Sequence, residues 1–505
     1  MIKHARTVWA LLTAAALAAT TLSCGREEAG APTMEFALSG NPDTLDPHRT
    51  TGTLTFQTTR SFYDTLVEPD RSGDLVPALA ESWDISEDGL TWTFSLRDGV
   101  RFHNGEPLTS SDVRATFERL TDPATASPSA GEFAAITEIE TPDEATVILR
   151  LSEPTAPLLA SIASGWGAIL PASLVEQDHD FGNEPVGTGP FRFVEWVPDS
   201  RIVMERNDDY WMEGHPRIGG VVINIIPESA VQLQGLLTGE LHAVDMVNQQ
   251  DLETLREDDD VYVQTDLSAL VMVLAMNNER APMNDVRFRQ AVAHAIAKQS
   301  TMDIAYGGGE VVGTFMDVSD PYYVDLTDVY PYDPARSREI LAEIGGSPTE
   351  PLVMSLPENY QPHVRAGEMY EAMLEEVGIP VELRLVDWST WLNEVYRGSN
   401  YDMTVIGHTG KLDPDGRLRR YGTGETYVHW DNAEAAALID EARRTVDPGR
   451  RRDLYSLVLE MMAREVPHVY VGTSYRYLAM RRTVSGLHQD AKLDTFDFRY
   501  VEIDE

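Results

Sequence analysis

PLVMSLPENYQPHVRAGEMYEAMLEEVGIPVELRLVDWSTWLNEVYRGSNYDMTVIGHTGKLDPDG, residues 351–416, is the stretch that decides the fold. Leu352, Met354 and Leu356 alternate with other residues at the period of a strand. A helix follows, with Met369, Met373, Leu374 and Val377 on one face and Glu368, Glu371, Glu375 and Glu376 on the other. Gly378 and Pro380 stop it. Val381, Leu383 and Leu385 predict a second strand, residues 389–397 a short helix, and residues 403–406 a third strand. The order β-α-β-α-β requires parallel strands joined by right-handed crossovers. Ligands of such sheets bind beyond the carboxyl ends of the strands. That edge brings Glu358, Tyr360, Trp388, His408, Lys411, Asp413 and Asp415 toward one rim, and all of these but Asp415 are candidate ligand residues.

Working outward, residues 267–276 are almost continuously apolar, as in a strand buried on both faces. Asp285 caps a predicted helix through Lys298, and Asp333-Pro334 caps another that ends at Gly345-Gly346. Toward the N-terminus the texture changes to strands and turns. Residues 91–96 (TWTFSL) alternate at period two, His103-Asn104-Gly105 supplies a turn, and residues 146–151 (TVILRL) predict another strand. Thr109 to Asp112 predicts a capping box for a helix that buries Val113, Phe117 and Leu120. The glycines of residues 186–191 (VGTGPF) read as turn geometry rather than a phosphate cradle, because no helix start follows them.

The chain of 505 residues has room for about three domain-sized units. Its 42% hydrophobic and 24% charged residues exclude both a disordered chain and a multi-span membrane protein. The formal net charge of −42 has the wrong sign for a surface that holds phosphate backbones, so nucleic acid is excluded as a partner. It suits a strongly solvated exported body. Only Lys3, Lys298, Lys411 and Lys492 are lysines, which makes any lysine near a site informative.

Cys24 is the single cysteine, so no intrachain disulfide forms. Lys3, His4 and Arg6 precede an apolar run over residues 8–19, and Thr21-Leu22-Ser23-Cys24 closes it with small residues. This is a secretory signal, too short to span a bilayer. The junction resembles a lipobox, which implies that Cys24 is lipidated and that residues 25–32 are a flexible tether to the membrane.

Catalytic motifs are missing. There is no Gly-x-Ser-x-Gly elbow, His-Glu-x-x-His or Walker loop, and Gly307-Gly308-Gly309 lacks the spacing of a dinucleotide fingerprint. Residues 413–416 (DPDG) fall short of a calcium loop, because the glycine comes too early and the bidentate Glu is absent. No metal and no cofactor is expected. Eighty-two acids leave a carboxylate-based secreted hydrolase as an alternative to a binding protein.

Several long blocks resemble one family. Residues 75–83 (LVPALAESW) and 87–113 (EDGLTWTFSLRDGVRFHNGEPLTSSDV) are similar to the signature of family 5 extracytoplasmic solute-binding proteins, the receptors of peptide, dipeptide and nickel ABC importers. VGTGPF, residues 238–245 (TGELHAVD), 284–296 (NDVRFRQAVAHAI) and 332–346 (YDPARSREILAEIGG) follow in the family's order. The resemblance implies an α/β fold of two lobes that close like a hinged trap on a ligand, with an extra N-terminal subdomain. The implied divisions are 1–23 signal peptide, 24–32 tether, 33–66 with 185–274 and 472–505 as lobe I, 67–184 as its subdomain, and 275–471 as lobe II. Crossings are expected near Ala275 and Gly472. The implied partners are a peptide or other small solute, the permease subunits of an ABC importer, and the membrane through the lipid anchor. A monomer in the periplasm or at the cell surface is expected, with no enzymatic role.

The resemblance also exposes departures. Peptide-binding members carry an aspartate ahead of the Asp-Pro step to hold the ligand's α-ammonium, and Gly410 or Lys411 stands there. Dipeptide-binding members pair the ligand carboxylate with an arginine where this chain has Glu358, ahead of Tyr360. Both charges are reversed, which implies weak binding of an unmodified dipeptide. Three readings follow: a ligand without a free N-terminus, a ligand bound in the opposite sense, or a Glu358–Lys411 pair beside a neutral ligand such as an oligosaccharide. Trp388, Tyr427 and Trp430 are candidates for stacking on the ligand, and His408 for the same cleft.

Overall fold

The computed structural model describes residues 31–71 and 73–504. The expected signal peptide, Cys24 and nearly all of the tether lie outside the described residues. The strands Leu352–Pro357 and Val381–Val386 pair in parallel, and Leu352–Pro357 also pairs in parallel with Met403–His408, so the predicted β-α-β-α-β unit is present. The helix between the first two strands, Gln361–Glu376, buries Tyr370 and Leu374, while Met369 and Met373 pack at the margin of the core. Gly367 lets it sit down on the sheet, because a Cβ there would lie 2.4 Å from Leu356 Cδ1.

These three strands form one end of an eleven-stranded sheet that runs through the whole molecule. Met403–His408 pairs with the long strand Val261–Met276, which pairs antiparallel with His468–Arg481. The sheet then continues through Ala243–Val244, Thr33–Leu38, Gly220–Ile225, Arg201–Arg206 and Phe191–Val197. The two long strands therefore belong to both halves. Their register breaks where four residue steps from Leu267 to Val271 oppose two steps from Tyr475 to Thr473. This irregularity lies ahead of Ala275 and beside Gly472, where the crossings between lobes are expected. From Val271 onward the strand already pairs with Met403–His408 of the second half.

Each half has its own interior. The second half buries apolar side chains on both faces of its sheet, with Leu274, Met354 and Leu374 in one cluster and Val273, Leu418 and Tyr455 in another. The first half centres on Phe36, Phe62 and Phe498. A separate antiparallel sheet, in the order Ala80–Ile85, Thr91–Leu96, Thr146–Leu151, Ile136–Asp143, covers a cluster with Trp92, Phe94 and Phe117. Its helix Ser110–Thr121 starts at the predicted capping box, where the Thr109 N–H donates to Asp112 Oδ2 at 2.7 Å.

Two local expectations change. The helix expected from Asp285 to Lys298 ends at Ala295, and a second helix, Lys298–Ala305, begins after a break. Ile296 adopts an extended backbone there (φ −92°, ψ 117°) and is fully buried. Gly187 and Gly189 serve close packing rather than turn geometry. A Cβ on Gly187 would lie 2.2 Å from the Phe62 carbonyl oxygen, and one on Gly189 2.5 Å from the Phe62 carbonyl carbon.

Candidate functional site

A cavity of about 540 Å³ lies between the halves, a volume in the range of small-molecule sites. Segments of the first half that line it include Phe56, Arg60, Glu132 and Trp166, joined by residues 492–495 near the C-terminus. The second half contributes residues 409–413, Asp415, Gly416 and Arg419, the loop and short helix after the strand Met403–His408. The carboxyl-end rule thus locates the second-half wall.

The halves touch around the cavity. Leu412 packs against the apolar cluster of the N-terminal subdomain. The Ala156 N–H donates to the Arg443 carbonyl at 2.9 Å, and Arg444 lies 3.6 Å from Glu153. Lys492 Nζ, from the first half, donates to Asp317 Oδ2 and Asp320 Oδ2 of the second, both at 2.7 Å and all three side chains buried.

Of the expected ligand residues, Gly410, Lys411 and Asp413 line the cavity. Gly410 has no room for a side chain, since a Cβ would meet Ala269 Cβ at 2.4 Å and Lys492 Cδ at 3.4 Å. Asp413 is committed to a buried pair with Arg451, at 2.5 and 2.7 Å, which anchors the loop. Lys411 forms neither a hydrogen bond nor an ion pair among the described residues, with Glu358 or any other acid. The acid whose charge acts on it is Glu132 across the cavity.

The other six stand elsewhere. Glu358, Tyr360 and Trp388 gather on an outer part of the same edge: Glu358 is exposed, and the rings of Tyr360 and Trp388 are 5.3 Å apart. Trp388 stacks on Trp391 at 5.0 Å. His408, Tyr427 and Trp430 pack beneath the cleft wall. His408 Nε2 and the Tyr427 hydroxyl share a hydrogen bond at 2.9 Å, and burial lowers the imidazole to about 3. Trp430 Nε1–H donates to Glu465 Oε2 at 2.7 Å, which satisfies its one donor inside the core.

Asp415 also lines the cavity. It is buried 3.9 Å from Arg443, with one oxygen, Oδ1, unpartnered. Burial and the neighbouring Asp413 push its carboxyl up to about 6. The first-half wall was missed in the sequence. Arg60 is held by Glu68 at 2.5 Å, and Glu68 in turn by Arg499. Trp166 meets Phe56 edge to face at 5.6 Å. The glycines flanking Trp166 were the available signal: a Cβ on Gly165 would lie 2.3 Å from Phe56 Cδ1, and one on Gly167 2.0 Å from the Ile162 carbonyl oxygen.

No group of three or more His, Cys, Asp or Glu side chains among the described residues could hold a metal ion. No described helix is long and apolar enough to cross a membrane.

The chain is 30% identical over 495 residues to di/tripeptide-binding protein 1 of Pseudomonas aeruginosa (strain UCBPP-PA14), covering 90% of this chain and 92% of that protein. It is 27% identical to the dipeptide-binding protein of Escherichia coli (strain K12), covering 94% and 95%. Among solved structures, it superposes on the Helicobacter pylori DppA complex with the peptide STSA with a TM-score of 0.74 at 26% identity, over 94% of this chain and 98% of that one. HbpA2 of Haemophilus parasuis shares the fold with a TM-score of 0.84 at 24% identity, over 94% and 100%. Residues 74–427, well over half of the sequence, match the family described as "Bacterial extracellular solute-binding proteins, family 5 Middle", and the chain belongs to that family.

Proposed function

We propose that this protein is the extracytoplasmic receptor of an ABC importer, which captures a peptide or related small solute between its lobes and delivers it to the permease without bond chemistry. The observation that carries this is the cavity of about 540 Å³ lined by both lobes, in a chain whose relatives are named for di- and tripeptides. A ligand that contacts both walls favours the closed form by its differential contacts, and the closed shape is what a permease recognises. The signal-like N-terminus and the lipobox-like junction at Cys24 support a lipoprotein held at the membrane in the periplasm or at the cell surface, and we take it to act as a monomer. Replacing Cys24 with alanine is expected to move the protein from the membrane to the soluble fraction.

The test of capture is a transporter-substrate panel of peptides and oligosaccharides, read by thermal shift and calorimetry. A ligand at 100 times its Kd stabilises the folded protein by about 2.7 kcal/mol. A binder that is recovered unchanged supports the reading. Release of a hydrolysis product from the same panel would overturn it in favour of a secreted hydrolase.

A further inference from the structure

Counting the charges in the cavity wall shows which remain for a ligand. Arg60 is taken by Glu68, Asp413 by Arg451, and Lys492 by Asp317 and Asp320. Asp494 accepts from Gln489 Nε2 at 2.8 Å and lies in the field of Arg476. Two cations are left on the lobe II loop, Lys411 and Arg419. Neither donates a side-chain hydrogen bond nor closes an ion pair among the described residues, and both line the cavity. On the opposite wall Glu132 accepts, among the described residues, from the Ser161 hydroxyl alone, at 2.9 Å.

Lys411 and Glu132 attract each other through the cavity without meeting. The lysine stem is steered, because it runs over Gly416, where a Cβ would lie 3.2 Å from Lys411 Cγ. Lys411 is exposed to the cavity, and the protein around it lowers its pKa through partial desolvation despite the opposing effect of Glu132. Glu132 stands too far off to close an ion pair with this ammonium, and an anion delivered into the cavity would supply a counter-charge in contact with it. Asp415 and Asp494 are the other lining acids with an oxygen to spare, but Asp415 stands on the same short segment as Lys411 and Arg419 and in the field of Arg443, and Asp494 lies in the field of Arg476. A molecule with opposite charges at its ends therefore finds its complementary walls across the cavity rather than along one of them.

We infer that the ligand is a zwitterion held with its carboxylate toward Lys411 and Arg419 of lobe II and its ammonium toward Glu132 of the lobe I subdomain. This rests on the capture of a peptide proposed above and adds the direction in which it lies. The neighbouring Gly410, closed off by Ala269 and Lys492, offers no acid to an ammonium from the lobe II side.

The experiment uses trialanine, trialanine amide and N-acetyltrialanine, measured by calorimetry on the mature chain and on K411M, E132Q and D415N. Circular dichroism melts of each variant confirm folding. In the wild type, removing either terminal charge is expected to weaken binding by about 10- to 100-fold, the scale of one charge-assisted contact. K411M should weaken trialanine to the level of the amide while leaving the amide within about twofold, since one charged contact should be lost only once. E132Q should do the same with the acetylated peptide. Equal weakening of trialanine and its amide by K411M would overturn the inference while leaving peptide capture intact. So would dependence of the amino end on Asp415 instead of Glu132. Failure of the wild type to bind any of the three would overturn both this inference and the peptide reading.

Discussion

Replacing Lys492 with alanine should open the molecule. Its ammonium bridges the lobes by donating to Asp317 and Asp320 at 2.7 Å each. The side chains are 7%, 1% and 7% exposed, so water replaces little of what the lysine supplies. Burial alone would raise the Asp317 carboxyl, but the lysine charge overrides it and holds the group below its usual value. Removing one partner of a buried ion pair costs about 3–5 kcal/mol, because the other charge is left buried and unpaired. The open form lets water reach both carboxylates, so the penalty falls mainly on closure. About 3 kcal/mol on that equilibrium is about 100-fold in the closed population and, for a ligand that requires closure, about 100-fold in Kd.

Small-angle scattering of the ligand-free protein reads the population directly, and calorimetry reads the affinity. K492A should increase the radius of gyration and weaken binding together. The triple variant K492M/D317N/D320N, which removes the charges while keeping the stem that packs near Gly410, should recover part of both. A K492A protein as compact as the wild type would refute the reasoning, whatever happened to affinity. The effect should also fade at low pH: a carboxyl with a lowered pKa contributes its full share above the ordinary value of 3.8 and loses it as pH falls through the lowered one.

Acid should destabilise the protein well before that. Burial holds His48, His103 and His363 at about 4 and His408 at about 3, so these imidazoles stay neutral in the fold while unfolded ones take up protons below about 6.5. Each should cost about 2 kcal/mol at pH 5 relative to neutral pH, and a melting temperature unchanged between pH 7.5 and pH 5 would contradict this. Gly187→Ala should destabilise by about 1–3 kcal/mol through the clash with the Phe62 carbonyl, seen as a lower denaturation midpoint in urea. With a net charge of −42, the melting temperature should rise with added salt as repulsion is screened, and a flat dependence from 0.05 to about 1 M would argue against surface repulsion as a destabilising load.

The parts of this fold legible from sequence were those written in local periodicity. The strands Leu352–Pro357 and Val381–Val386 and the helix between them announce themselves by alternation and by the stop at Gly378 and Pro380. The carboxyl-end rule then places the loop with Lys411 on the cavity. It cannot tell which side of a pleat or loop a residue takes. His408 turns into the aromatic cluster of Phe315 and Tyr427, while Lys411, three residues on, lies over Gly416 in the open space. Aromatic residues such as Trp430 look alike whether they stack on a ligand or fill a core, and only Glu465, 35 positions away, decides for the core.

The opposite wall was hidden for a different reason. Phe56, Glu132, Trp166 and Lys492 come from segments that are far apart in the chain and share no periodic pattern, and they meet only in the cavity wall. What marks such a wall in sequence is the glycine needed for close approach, as at Gly165 against Phe56, and the scarce residue that an otherwise uniform composition makes visible. Lys492 is matched by two buried aspartates and so holds the lobes together. Lys411 is left unmatched, and the difference between these two lysines separates the group that closes the trap from the group that waits for its contents.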